Sequence, residues 1–315
     1  MKSVFERLLK HCVDVCSGKT GRNGMPYLLH PLEVMSKVDS LSEKIVALAH
    51  DYGEFRDVAE LETIGVPEVL LDKTKLLAKT FPDDIPEDDP RYCDYIWNLL
   101  ADPICRKVKY VDLLVNNGYE DSPAGDGRRF TGQYPRAMAL LADAVEGKIY
   151  FNSRTPYFDI FSNFYDEPLK IEGEIWKTGE SFYQAAKFAK NGLQEDEAIY
   201  RIIANAETPG ISKKLADEYF SEENKERSHQ ALRTFQAMAT MLNVKFAPGT
   251  LARKRLMQTG DLELVHLSGS DFFWGQNRKG DGKNLLGKVL MHMRNSGCDC
   301  SVVEMMSNAG VQNEN

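Results

Sequence analysis

LKIEGEIWKTGESFYQAAKF, residues 169–188, decides how the C-terminal half of this chain is read. Alternation through LKIEGEIWKT about a Glu-Gly centre predicts two strands closed by a tight hairpin. The next ten residues change period. In GESFYQAAKF, Glu180, Tyr183, Gln184 and Lys187 fall at i, i+3, i+4 and i+7 with aromatic and alanine positions between them, which is one stripe of a helix. On an isolated helix such a stripe is a solvated face. An acid, a phenol, an amide and an amine in one row become a site only if the rest of the half folds over them.

Outward from this stretch the second half reads as helix-rich α+β. KIYFNS (148–153) is a strand before the hairpin, helices are expected at about 197–205, 211–219, 225–243 and 250–258, LELVHLS (262–268) is a short strand, and NLLGKVLMHMRN is a closing helix. SNAGVQNEN is polar and expected to fray. The first half is all helical in pattern: FERLLKHCVDVC, PLEVMSKV, LSEKIVALAHDY, PEVLLDKTKLLAKT and YCDYIWNLLADPICRKVKYVDLLVNN are separated by Gly and Pro. GYEDSPAGDGRRFTGQYP, rich in Gly, Pro and charge, leads into one last helix, YPRAMALLADAVEG. Two domains are therefore expected, an all-α one over 1–147 and an α+β one over 148–297, with a tail over 298–315. No repeat of 20–50 residues is visible, which excludes a solenoid.

Composition narrows the class. The 315 residues are 43% hydrophobic and 27% charged, ordinary for a globular protein. A formal net charge of −8 argues against general coating of nucleic acid, while leaving room for a local basic cleft. MKSVFERLLKHCVDVC carries charges through its apolar period, so it reads as an amphipathic helix rather than a signal peptide, and no run approaches a membrane span. A cytoplasmic protein with no membrane partner is expected. The 6 cysteines, Cys12, Cys16, Cys93, Cys105, Cys298 and Cys300, are too dispersed for a disulfide framework.

The first half contains His30 in YLLHPLEV, the adjacent His50 and Asp51 in ALAHDYGE, and Asp112 in KYVDLLVNN. Two imidazoles and two carboxylates form a mixed nitrogen and oxygen donor set suited to Mn²⁺, Zn²⁺ or Mg²⁺. Such an ion acidifies bound water and neutralises charge on a phosphoryl group. GMPYLLHP, HDYGE and KYVDLLVNN, in that order, resemble the HD hydrolase superfamily, in particular the alarmone (p)ppGpp hydrolases. The resemblance covers roughly residues 5–120. It implies His30, His50, Asp51 and Asp112 as metal ligands, with manganese the favoured ion, Glu54 as a helper in activating water, and Arg22, Tyr27, Lys109 and Asn116 around a nucleotide. The family's second acid is replaced by Phe55, whose ring can neither orient water nor carry a proton.

In the second half FSNFY (161–165), IWKTGESFYQAAKF (175–188), MLNVKF (241–246), LMQTGDLELV (256–265), SDFFWG (270–275) and GKNLLGKVLMHMR (282–294) recur in the order of the NADAR family. That family includes N-glycosidases of riboflavin intermediates and hydrolases of ADP-ribosylated guanine in DNA. The resemblance implies cleavage of an N-glycosidic bond at a phosphorylated ribose, without a cofactor. Breaking such a bond develops oxocarbenium character on the sugar and charge on the leaving nitrogen, so a carboxyl and a proton donor are needed together. Glu180 is the expected acid/base residue. Lys187, if desolvated, is the expected nucleophile toward C1 of a ring-opened sugar. Asp271 is a second carboxylate for ribose hydroxyls or proton transfer. Ser162, Asn163, Thr178, Tyr183 and Gln184 offer hydroxyls and amides, Trp176 and Trp274 offer stacking faces, and Gly275 and Asn284 complete the expected substrate contacts. Arg253, Lys254 and Arg255, or the segment RKGDGKNLLGK, are candidates for phosphate. His266 stands where a Glu after the Leu-Val pair is common, and the helix before MLNVKF lacks the family's Trp, with Arg233 only near the usual Arg.

Three functions follow as alternatives. One is a glycosidase fused to a metal-dependent nucleotide phosphohydrolase, acting on a small nucleotide or on ADP-ribosylated DNA. Another is an ADP-ribose or nucleotide sensor coupled to the HD half, and the third makes the HD half the working enzyme. Product formation separates them.

Overall fold

The computed structural model describes residues 1–21, 24–82, 85–86, 88–118, 134–188, 194–219, 230–297 and 299–310. Arg22, Cys298, His229 and most of the Gly- and Pro-rich stretch after Gly118 lie outside the described residues, as does the side chain of Arg233. The chain divides into two compact units, Met1–Lys148 with Gln258–Leu262, and Ile149–Met257 with Glu263–Asn315. Among the described residues no helix is long and apolar enough to cross a membrane.

The first unit is helical: α1 (Lys2–Cys16), α2 (Leu29–Ser36), α3 (Leu41–Ala49), α4 (Glu60–Thr63), α5 (Glu68–Leu77), α6 (Pro90–Leu100), α7 (Pro103–Gly118) and α8 (Tyr134–Val145). Ser40 begins α3 with a reciprocal capping box, its hydroxyl accepting from Glu43 N while Glu43 accepts from Ser40 N. The helix then runs as a buried apolar rod, Ile45 to Ala49, into His50 at its C-terminal cap. α3 packs on α1, α2 and α7, which places the ends of three sequence-distant segments together. The long pattern from Tyr92 to Asn117 is interrupted. Pro103 cannot continue a helix, and Asp102 instead caps the next one by accepting from Ile104 N and Cys105 N, each at 2.9 Å.

The second unit contains β1 (Lys148–Phe151), whose first residue falls in the first unit, β2 (Leu169–Ile171), β3 (Glu174–Trp176), α9 (Gly179–Ala186), α10 (Gln194–Ala204), α11 (Pro209–Tyr219), α12 (Gln230–Lys245), α13 (Leu251–Gln258), β4 (Glu263–His266), α14 (Leu285–Ser296) and α15 (Val302–Ala309). β2 and β3 pair antiparallel with Leu169 opposite Trp176 and Ile171 opposite Glu174. Their turn places both Glu172 (φ 52°) and Gly173 (φ 89°) in left-handed conformation, as a two-residue hairpin with the sheet's natural twist requires. β1 pairs with β4 in a separate two-stranded sheet.

α9 is the centre of this unit, packed on α10, α11 and α12. Thr178 caps it, accepting from Ser181 N. Gly179 is required by close approach, because a Cβ there would sit 2.8 Å from Met241 Sδ of α12. At the far C-terminus the first residues of SNAGVQNEN, expected to fray, are helical instead, and residues 311–315 lie outside the described residues. α15 continues to Ala309, buries Met305, and packs on α12 and α14. Apolar side chains in its VVEMM segment outweigh the polar composition that follows.

Candidate functional site

The stripe of α9 faces inward. Glu180, Tyr183, Gln184 and Lys187 line one cavity of about 870 Å³, together with Ser162 and Asn163 from the FSNF segment and Asp271 and Trp274 from SDFFWG. Glu180 and Gln184 are only 4% and 3% exposed. They are joined in a chain: Gln184 Nε2 donates to Glu180 Oε1 at 2.6 Å, and Lys187 Nζ donates to Gln184 Oε1 at 2.8 Å. The ammonium also lies 4.2 Å from the centre of the Tyr183 ring. Tyr183 in turn accepts from Trp274 Nε1 at 2.8 Å, which ties α9 to the SDFFWG loop.

Burial sets the electrostatics. Desolvation raises the Glu180 carboxyl above its ordinary value, against the opposing effects of the Gln184 hydrogen bond and the Lys187 charge. Desolvation lowers the Lys187 ammonium, against the pull of Glu180 and Asp217 and reinforced by the like charge of Lys213. The acid therefore keeps its proton to higher pH, and the amine loses its proton at lower pH, than either would in water. Tyr183 is held well above the usual phenol range by burial and by Glu180, so it stays a neutral hydroxyl.

The segments around α9 are held by hydrogen bonds to the helix start, to α12 and within the SDFFWG loop. Glu180 N donates to Asn163 O at 2.8 Å, docking the FSNF segment on the helix start. Lys245, 2% exposed on α12, donates to Ser162 O at 2.5 Å; burial brings its ammonium down to about 7 despite Glu167 and Asp159. Asp271 lines the cavity, yet its Oδ1 accepts from Phe273 N and Trp274 N and so shapes its own loop.

Several expected contacts lie elsewhere. Trp176 is outside the cavity wall and packs edge-on against Phe182 and Tyr200, so it is a packing residue and not a stacking platform. Thr178 is the helix cap. Asn284, at φ 49°, gives both ends of its amide to β4: Oδ1 accepts from His266 N at 2.9 Å and Nδ2 donates to Leu264 O at 2.8 Å. Gly275 allows the backbone to approach His266 O, where a Cβ would come within 2.7 Å. Neither lines the cavity. The basic candidates Arg253, Lys254, Arg255 and the RKGDGK segment are also absent from its wall. Among the described residues the Lys and Arg side chains that line it are Arg154, Lys187 and Lys213. Arg154 and Lys213 were not singled out in the sequence, where no recurring motif covers Arg154 and 211–219 is read only as a helix. His266 lines the cavity too, stacked on Phe151 with ring centres 5.3 Å apart, and burial lowers its imidazolium.

In the first unit, His30, His50 and Asp112 present ligand atoms within 4.8 Å of one another. His30 Nε2 is 3.2 Å from His50 Nε2 and 3.2 Å from Asp112 Oδ1, and Asp51 Oδ2 is 3.4 and 3.1 Å from the two imidazole nitrogens. His50 Nε2 is 3.6 Å from Asp112 Oδ1, and donors at about 2.0–2.2 Å from one ion are about 2.8–3.6 Å apart, so the separations among His30, His50 and Asp112 fit a shared divalent metal, with Asp51 beside both imidazoles. His50 Nδ1 lies 2.7 Å from Ala47 O, and donating its N–H to that carbonyl leaves Nε2 with its lone pair toward the cluster. Asp112 is oriented by Lys109 Nζ at 2.8 Å and Asn116 Nδ2 at 2.7 Å. Burial opposes its ionisation, but Lys109 and the imidazoles hold it well below the carboxylate range.

Of the residues expected around a nucleotide, Lys109 and Glu54 line the adjoining cleft of about 90 Å³. Tyr27 and Asn116 act on carboxylates instead: Tyr27 donates to Asp51 Oδ2 at 2.7 Å and to Glu54 Oε2 at 3.3 Å. Phe55 packs edge-on to Tyr27 with Lys19 Nζ 3.7 Å from its ring centre, and lies outside the cleft wall.

Residues 150–296 match a family model described as NADAR domain, which leaves 1–149 outside the match. N-glycosidase Npun_R5314 of Nostoc punctiforme is 35% identical over 146 residues, 46% of this chain and 90% of that protein. N-glycosidase YbiA of Escherichia coli is 29% identical over 164 residues, 50% of this chain and 92% of that protein. Riboflavin biosynthesis protein VVA0006 of Vibrio vulnificus is 31% identical over 161 residues, 51% of this chain but only 41% of that protein.

Proposed function

This chain belongs to the NADAR family through residues 150–296, and from that membership we propose that its second unit hydrolyses the N-glycosidic bond of a phosphorylated ribose. The relatives named N-glycosidases support the reaction class. The observation that carries it here is the inward stripe of α9, with Glu180, Gln184 and Lys187 hydrogen-bonded in sequence inside one cavity. Glu180, protonated to unusually high pH by burial, gives its proton as the bond from C1 to the leaving nitrogen breaks. Lys187, its ammonium depressed by burial, bonds through the free amine Nζ to C1 as the leaving nitrogen departs with the Glu180 proton; the Glu180 carboxylate then takes a proton from Nζ and returns it to the ring oxygen as the C1–O bond opens, which leaves a Schiff base between Lys187 and the open-chain sugar. Water then adds to that Schiff base, releasing the sugar aldehyde and returning the free amine. Early riboflavin intermediates and ADP-ribosylated guanine in DNA are the two substrate classes proposed; the acidic chain and the absence of the ARKR run from the cavity wall favour the small molecules.

The test is turnover by wild type, Glu180→Gln and Lys187→Ala on both substrate classes and a nucleotide panel, with and without Mn²⁺, and with products identified by mass. Loss of product in both variants is expected. Unaltered turnover in either removes its role, and bound but uncleaved ADP-ribose in wild type would leave a sensor instead.

For the first unit we propose an HD-type divalent metal centre held by His30, His50, Asp51 and Asp112, with Mn²⁺ favoured over Zn²⁺ or Mg²⁺, serving a nucleotide phosphohydrolase of the (p)ppGpp-hydrolase kind. The donor spacing supports this reading. A metal there would acidify water and offset phosphoryl charge; Glu54 is the acid beside it, and Phe55 leaves that acid without its usual neighbour. Purified protein should take up one divalent ion that His50→Ala does not, and no uptake by wild type would end the assignment.

A further inference from the structure

α11 supplies a wall of the second unit's cavity that no recurring motif marks. Its placement is fixed by Ser212, which is fully buried with its hydroxyl 3.4 Å from Ser181 Oγ of α9 and 3.3 Å from Ile203 O. The next residue, Lys213, and Asp217 one turn later both line the cavity. On the outer side of the same helix Lys214 and Glu218, at the same four-residue spacing, form an ion pair at 3.7 Å. Among the described residues Lys213 forms no such pair and no hydrogen bond. Its charge nevertheless reaches Glu180, Lys187 and His266, perturbing each. A half-buried ammonium that shares a cavity wall with Glu180 and Lys187, and has no ion-pair partner among the described residues, is suited to meet the charge of a bound anion.

We propose that Lys213 binds the phosphate of a sugar-phosphate substrate in this cavity, leaving Lys187 to the covalent step. The inference rests on the reading of the cavity as a site for phosphorylated ribose, and adds the residue that distinguishes phosphorylated from free sugar. Lys187 and Arg154 are the other lining cations. Lys187 is engaged by Gln184, and Arg154 comes from the segment after β1.

The experiment is isothermal titration of the full chain, in EDTA to silence metal-dependent phosphate binding, with ribose 5-phosphate and with ribose. Wild type should favour ribose 5-phosphate by about tenfold or more, the weight of one charge-assisted contact. Lys213→Ala should bring the two affinities to within about twofold. Lys213→Arg should keep most of the preference, and thermal melts should show all variants folded. The proposal is overturned if Lys213→Ala keeps the wild-type preference, if wild type has none, or if Arg154→Ala alone abolishes it. Binding is read without turnover. Loss of phosphate preference in Lys213→Ala alongside unchanged turnover in Glu180→Gln and Lys187→Ala would therefore leave the receptor standing and remove only the proposed chemistry.

Discussion

Gln184 is the residue whose removal tests the site most directly, because its amide is hydrogen-bonded to both the acid and the amine. Gln184→Leu keeps a side chain of similar bulk in a buried position and deletes both the 2.6 Å bond to Glu180 and the 2.8 Å bond from Lys187. A hydrogen bond to a charged group contributes about 1.5–3 kcal/mol, and about 1.4 kcal/mol corresponds to tenfold in ionisation. The Gln184 amide donates to the carboxylate and so favours its ionised form, opposing burial. Without it, the Glu180 carboxyl rises further. In a pH–rate profile of kcat/KM, the limb set by Glu180 should move upward by about one pH unit. Lys187, freed to wander, should lower kcat by about tenfold to a hundredfold. Gln184→Glu, which places a second carboxyl against Glu180, should move the limb further than Gln184→Leu. A profile whose limb stays in place while activity falls would mean that Gln184 only packs, and that Glu180 is not the titrating group.

Glu180→Gln should make the folded protein more stable at neutral pH. The folded-state carboxyl binds its proton more tightly than the unfolded one, whose value is about 4.3, so the wild type carries no penalty below that pH and the full penalty above its folded value. The variant's melting temperature should exceed wild type by about 2–4 °C at pH 7, with the gap closing near pH 4; a gap independent of pH contradicts the buried carboxylate. Lys109→Met should weaken metal affinity in the first unit by about tenfold to a hundredfold, since it removes the cation that orients and ionises Asp112; unchanged affinity by titration would detach Lys109 from the cluster. Gly287→Ala should cost about 2–3 kcal/mol in urea denaturation, because its Cβ would collide with Leu264 O and the Asn284 amide that clamps β4 to α14. An unaltered midpoint would show that the clamp yields.

Much of the local structure was written in short-range chemistry. The Glu-Gly turn of the hairpin and the helical period of GESFYQAAKF were read there; the Ser40 capping box and the Pro103 break, not singled out in the sequence, likewise depend on residues within one or two turns, where steric and hydrogen-bonding preferences act regardless of the rest of the chain. The ordered motifs carried the family. What the sequence left open was the direction each polar side chain faces. The α9 stripe has the pattern of a solvated surface, and only the packing of α10, α11 and α12 around it makes it the lining of a cavity. Trp176 and Trp274 look alike as stacking candidates, yet one is absorbed by Phe182 and Tyr200 while the other reaches Tyr183 in the wall. Lys213 and Lys214 are adjacent and chemically identical, and the docking of Ser212 sends one into the cavity and the other to an outer ion pair. Residue type fixes what a group can do; burial and neighbours, which arise only when distant segments meet, fix its charge state and its partner, and so whether it does it.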